Sequence, residues 1–269
     1  MISLNRDYTK QEYDLAYGVI REALSHVKLK YEPLDPVSFR KVMMNLLPLL
    51  MMRHRRIPRS RWEDRIGPNG KHWIEQSREH IAPEKWPYSM IGYHLEYGHS
   101  ICGMAMTQGT VKRVVNIGLG IRRVVTEPRG TPIATYIESQ HHKTEEGDPG
   151  RHRRLHILLA LKESYIKAIG QPLGFDLSRL EFDVPGRTLR ADGRGVAGWE
   201  FRIFSTKLGV ARGLDRFVEE EYQCACAFFR GSSRHESRFV WYQTQEELDA
   251  WVQFINIDQM VKVIPKLTA

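Results

Sequence analysis

R-H-R-R-L-H-I-L-L-A-L-K-E-S-Y-I-K-A-I-G, residues 151–170, is the stretch on which the reading of the fold turns. Its centre, Leu155 to Leu161, is a nearly continuous apolar run, the pattern of a strand buried on both faces. Residues 163–170 then read as a short helix closed by Gly170 as its C-cap. Working outward, 90–97 and 132–139 read as strands, and 140–150 as a polar turn. Residues 110–125 carry the basic pairs Lys112-Arg113 and Arg122-Arg123; they read as a helix containing Gly118 and Gly120 in preference to two strands. Downstream, 180–184 and 199–205 alternate as strands, and 224–229 and 238–242 form a further pair across 231–233. Thr244 with Glu247 caps a last helix, and 261–264 closes as a strand.

The N-terminal third has a different texture. Residues 9–26 form an amphipathic helix with a Thr9/Glu12 capping box, and a second helix spans 37–53 with a kink at Pro48. The expected fold is therefore α+β: an N-terminal helical region (1–60), a loop-rich connection (61–87), and an antiparallel, ferredoxin- or RRM-like sheet with helices on one face (88–269).

Composition bounds the rest. The chain has 269 residues, 42% hydrophobic and 27% charged, a globular balance, with a formal charge of +8. The excess is uneven: residues 51–130 hold 14 Lys/Arg against 7 Asp/Glu, whereas 215–269 hold 6 against 9. A positive region of this kind predicts a polyanionic partner, with nucleic acid first among them. The expected phosphate contacts are Arg53, Arg55, Arg56, Arg59 and Arg61 in the densest basic run. Lys112, Arg113, Arg122 and Arg123 join them, as do Arg151, Arg153 and Arg154. Tryptophans interleave with the basic run and suit base stacking or the packing of a joint.

Other classes are excluded or disfavoured. Cys102, Cys224 and Cys226 indicate a reducing compartment, and one residue between the last pair is too few for a zinc knuckle. On a strand those two sulfurs share a face, toward the core. No signal-peptide pattern opens the chain and no apolar run spans a membrane, so a cytoplasmic setting, or the interior of an infected host cell, is expected. A Met-rich stripe from Met43 to Met52 suits the core, a homo-oligomer contact or a protein partner. Gly118-Leu119-Gly120 lacks the third glycine of a dinucleotide fingerprint, and no phosphate-loop lysine, GxSxG or HExxH is present.

One constellation carries chemistry: His141-His142, then His152, His156 and Tyr165 beside the arginines of 151–154. Over about residues 88–170 the chain resembles the HUH-type replication initiators of single-stranded DNA phages and plasmids. That resemblance implies Tyr165 as the nucleophile on a DNA phosphate and His156 as a ligand to Mg or Mn. Arg154 stands where the first histidine of the pair belongs, so His152, His141, His142 or a carboxylate such as Glu138 would complete the metal site. The function expected is a phage- or plasmid-type replication and nicking protein. A non-catalytic RNA-binding module of the CRISPR-associated or host-takeover kind, and a viral nucleoprotein or assembly protein, stand as alternatives.

Overall fold

A computed structural model describes residues 1–67, 69–125, 150–171, 174–213, 216–231 and 237–268. The expected strand at 132–139, together with His141 and His142, lies outside the described residues.

Local capping chemistry builds the N-terminal helices. Thr9 accepts from the Glu12 amide at 3.2 Å, and Glu12 accepts from the Thr9 amide at 2.8 Å, which starts α1 (Lys10–Ala23). Asp35 caps α2 (Pro36–Asn45), and α3 (Leu47–His54) restarts with Pro48 in its first turn. The expected kink is thus a break at Leu46, because proline is accommodated at a helix start and not in its interior. Met43, Met51 and Met52 are buried in the core formed with these helices. This places much of the Met43 to Met52 stripe inside the protein.

Those helices cover a six-stranded sheet. Its order is β13 (Ile255–Asn256), β1 (Ile2–Ser3), β5 (Ile101–Gly109), β4 (Met90–Tyr97), β3 (His72–Gln76) and β2 (Trp62–Ile66). A four-stranded sheet has the order β12 (Arg238–Trp241), β10 (Trp199–Arg212), β11 (Arg216–Phe229) and β6 (Ile117–Arg123). A small sheet joins β7 (Leu180–Asp183), β8 (Thr188–Ala191) and β9 (Arg194–Gly195). Pairing is antiparallel except for β1 with β13 and β10 with β12. The fold is therefore mixed α+β with mainly antiparallel sheets.

Four local expectations change. Residues 151–168 form one continuous helix, α5 (Arg151–Ala168), where a strand followed by a helix was expected. The run contains no glycine or proline before Gly170, and Leu, Ala, Lys, Glu and Arg dominate it, so helix propensity holds throughout. It looks continuous because the helix is buried on several sides: Leu155, Leu159, Ala160, Leu161, Ser164 and Ala168 are all buried. An apolar run of that length does not separate a buried strand from a buried helix.

Residues 110–125 hold only a single helical turn, α4 (Val111–Val114), and then strand β6. The period is two. Gly118 and Gly120 face α5, while Leu119 and Ile121 join the opposite core with Phe204, Tyr222, Cys224 and Cys226. Strand β12 does not form a hairpin with β11, because β11 already has β10 on one side and β6 on the other. It lies parallel to β10 instead, with Phe239 5.1 Å from Phe201. Most of the expected strand at 261–264 belongs to α7 (Ile257–Val263), which Asn256 and Gln259 cap reciprocally and which buries Ile257 and Met260. The Thr244/Glu247 capping box does form, and it opens the short α6 (Gln245–Asp249).

The two large sheets approach along the outer part of β4 and the edge of β6, where the Leu119 amide donates to His94 Nδ1 at 3.3 Å. That line of approach positions the site.

Candidate functional site

Helix α5 contributes Glu163 and Lys167, one turn apart on the same side. Arg122, from the α5-facing row of β6, donates from Nη1 to Glu163 Oε1 at 2.8 Å. Lys167 Nζ lies 3.9 Å from the other Glu163 oxygen and bonds Glu96 on β4. Both oxygens of Glu163 therefore face side-chain cations. Beneath them, Lys71 Nζ donates to the carbonyls of Ile117 (2.6 Å) and Lys167 (2.5 Å), which ties β3, β6 and α5 together. Burial pulls the Lys71 ammonium down to about 8. His94 is held well below the ordinary histidine range, by burial first and then by Lys71, Lys167 and His72, so it is neutral. With Nδ1 accepting from Leu119, its proton sits on Nε2.

Arg122 and Arg123 are consecutive on a strand and so point to opposite faces. Arg123 reaches Glu220 Oε1 at 3.5 Å, and His99 Nδ1 reaches the same oxygen at 3.0 Å. Tyr222 donates to Glu220 Oε2 and accepts from the Ser100 amide at 2.7 Å. Burial pushes the Glu220 carboxyl up, but hydrogen bonds from Tyr222 and Ser100 and the charges of Arg123 and His99 outweigh it. The net displacement is below the ordinary value. His99 is lowered by burial and by Arg123, Arg40 and Arg212 against the pull of Glu220, which reports the positive field of this corner.

Here a cleft of about 610 Å³ opens, with Arg40, His99, Arg123, Arg212 and Arg216 on its walls and Tyr8 stacked on Phe39 at 3.8 Å. Its size is that of a ligand pocket. The Arg123 Nε–H is buried with no hydrogen-bond partner among the described residues. An unpaired buried donor in a wall of arginines suits a phosphate-bearing anion.

The residues singled out from sequence are distributed otherwise. Tyr165 is only 7% exposed, stacks edge-on against Trp199 at 4.9 Å, and has its hydroxyl pushed up by burial. His156 is fully buried, with its Nε2 3.1 Å from His152 Nε2. Nine residues of one helix separate His156 from Tyr165, about 13 Å along the axis, so the two do not converge. Arg53, Arg55 and Arg59 engage protein atoms: the carbonyl of Lys266, the Gln108 side chain, and the carbonyls of Ala23 and Trp62. Arg56, Arg61, Arg153 and Arg154 are exposed, as are Lys112 and Arg113. Arg151 begins α5. Among the described residues, no three His, Cys, Asp or Glu side chains gather as a metal-ligating group. No helix of the described residues is long and apolar enough to cross a membrane.

Burial also fixes a pH dependence. Desolvation, His152 and Arg122 push His156 from 6.5 down to about 3. The unfolded chain therefore binds this proton first as the solution is acidified. Stability present above pH 6.5 is lost as the pH falls toward 3, about 3 kcal/mol of it by pH 4. Urea unfolding of wild type and His156→Gln at pH 7 and pH 4 checks this. The acid-induced loss should shrink in the variant, and an equal loss in both would assign it to other groups.

No family model matches the sequence. Over 196 residues the chain is 28% identical to the 4′-phosphopantetheinyl transferase pptA of Paxillus involutus, a match covering 66% of this chain and 69% of that protein. This similarity overturns the expectation of a nucleic-acid-binding replication or nicking protein and the resemblance to replication initiators on which it rested. The RNA-binding and assembly alternatives are likewise unsupported. The Mg or Mn expected for nicking lapses with them. Glu96, Lys71, Glu163, Lys167 and Glu220 were missed because their partners are long-range: Arg122 and Arg123 reach them only when 117–123 is a strand lying on α5 and paired with β11, and Glu96 only when β4 meets β6.

Proposed function

We propose that this protein moves a phosphopantetheinyl group from a diphosphate donor to a hydroxyl acceptor, with the donor's diphosphate at the Arg122–Glu163–Lys167 cluster on one face of β6 and its nucleotide phosphate in the basic cleft on the other. Coenzyme A has the required chemistry, since it carries that group through a diphosphate on a phosphorylated nucleotide. The observation that carries the reading is Arg123, whose buried Nε–H lacks an acceptor among the described residues in a cleft walled by Arg40, Arg212 and Arg216. The similarity to a transferase of that name supports it independently.

In such a transfer the acceptor oxygen bonds to the phosphorus on the pantetheine side. The bond from that phosphorus to the bridging oxygen breaks, and the nucleotide phosphate leaves with the electron pair. Positioning and charge neutralisation supply most of the catalysis. Lys167 and Arg122 stand where negative charge develops. Glu163, between them, takes the acceptor's proton.

A calorimetric titration with coenzyme A tests the donor site. Wild type is expected to bind, more weakly as salt rises, and Arg123→Ala to bind about tenfold to a hundredfold more weakly. Equal affinity in wild type and variant removes the cleft from the donor site.

A further inference from the structure

Diphosphate chemistry commonly recruits Mg²⁺, held by carboxylates and by the phosphates themselves. The described residues do not fit such an ion at this place, where Glu96 is held by Lys167 and no third metal-ligating side chain joins it and Glu163. Glu163 is occupied at one oxygen by Arg122 (2.8 Å) and faced at the other by Lys167 (3.9 Å). The neighbours of Arg122 in its row of β6 and beyond, Gly120 and Val124, carry no carboxylate. Gly120 is also held against α5 so closely that an added Cβ would lie 2.4 Å from the Ala160 carbonyl oxygen. The separation between the β6 row and the Glu163 turn is therefore set by backbone contact, and the Arg122 guanidinium takes the place on Glu163 that a cation would need.

We infer that Arg122 and Lys167 form a diphosphate site that works without a divalent cation, Arg122 supplying the fixed charge and forked donors that a metal ion would otherwise provide. Both side chains are about a quarter to a third exposed, so they reach a ligand from solvent while Glu163 orients them. The inference builds on the transfer reading for its biological ligand, but the site's chemistry requires only a diphosphate. Glu163 then acts as a positioning residue for both cations, in addition to any role with the acceptor proton.

Inorganic diphosphate and coenzyme A, each titrated into the full chain in EDTA and again in excess Mg²⁺, test it. Wild type should bind diphosphate in EDTA with an affinity within about twofold of that measured in Mg²⁺, after correction for the metal's own complex with the ligand. Arg122→Ala should weaken binding about tenfold or more, and Arg122→Lys should recover part of it. Arg122→Asp, which sets a carboxylate in place of the cation beside Glu163, should bind only when Mg²⁺ is present. Thermal melts establish that each variant is folded. Wild-type binding that needs Mg²⁺, binding unaffected by Arg122→Ala, or no diphosphate binding at all overturns the inference. If diphosphate binds in EDTA through Arg122 and coenzyme A does not bind, the metal-free site stands and the phosphopantetheinyl reading falls.

Discussion

Gly118→Ala is expected to destabilise the protein by roughly 3 kcal/mol or more, at the upper end of what overpacking costs. A Cβ at this position would sit 2.0 Å from the Ser164 carbonyl oxygen and 2.6 Å from the Ala168 amide nitrogen. Both are backbone atoms of a buried helix, so no rotamer change relieves the clash. Either α5 lifts from β6 or the strand bends. A lift separates Arg122 from Glu163 and opens the aromatic cluster around Tyr165, Trp199 and Phe201. Gly18→Ala is the matched control. It lies in the interior of α1, where an added Cβ meets nothing within 4 Å, so it should stabilise by up to about 1 kcal/mol. Urea midpoints for both variants check the pair. A Gly118→Ala protein with an unchanged midpoint and slope would mean that α5 does not rest on β6 as described.

Lys167→Met is expected to lower the rate of phosphopantetheinyl transfer about a hundredfold to a thousandfold, the range seen when one preorganised donor to a developing charge is removed. Lys167 is the group that Glu96 and Glu163 share, from β4 and α5 respectively. Without it, two half-buried carboxylates face each other and repel the phosphate they should help to receive. Some stability goes as well, about 1–3 kcal/mol for stranding partly buried charges. Rates are therefore compared at a temperature where a melt shows both proteins folded. Lys167→Arg keeps the charge but moves it, and should fall between the two. A Lys167→Met rate within a factor of about three of wild type, outside the range expected for such a donor, would take Lys167 out of the transfer step.

Legibility followed how local the determining physics is. The Thr9/Glu12 and Thr244/Glu247 capping boxes are set by residues three apart and were readable from sequence. Strand β4 came out with both bounds as expected, and the shared face of Cys224 and Cys226 was foreseen, since both are buried in one cluster. Residues 151–170 were not readable in the same way. Their burial on several sides erases the amphipathic stripe that marks a surface helix, so the apolar run imitated a strand.

The reading of 110–125 as a helix hid the site. Glu163 and Lys167 already share the helix expected at 163–170, but Arg122 is their partner only if 117–123 is a strand with its even-numbered residues toward α5. The charge count did locate Arg122 and Arg123. It could not tell that the two face opposite ways, or that Arg53, Arg55 and Arg59 are engaged by the protein itself. His156 drew attention as a histidine heading an apolar run, yet full burial makes it a core residue kept neutral.

The most direct measurement is the mass of an acceptor protein after incubation with coenzyme A and this chain. An apo acyl carrier protein with a reactive serine is a suitable acceptor, and the Lys167→Met chain serves as the control. A gain of one phosphopantetheinyl group with wild type, and a much slower gain with the variant, is the predicted result. An acceptor whose mass never changes, from a chain that binds neither coenzyme A nor the acceptor, would contradict it.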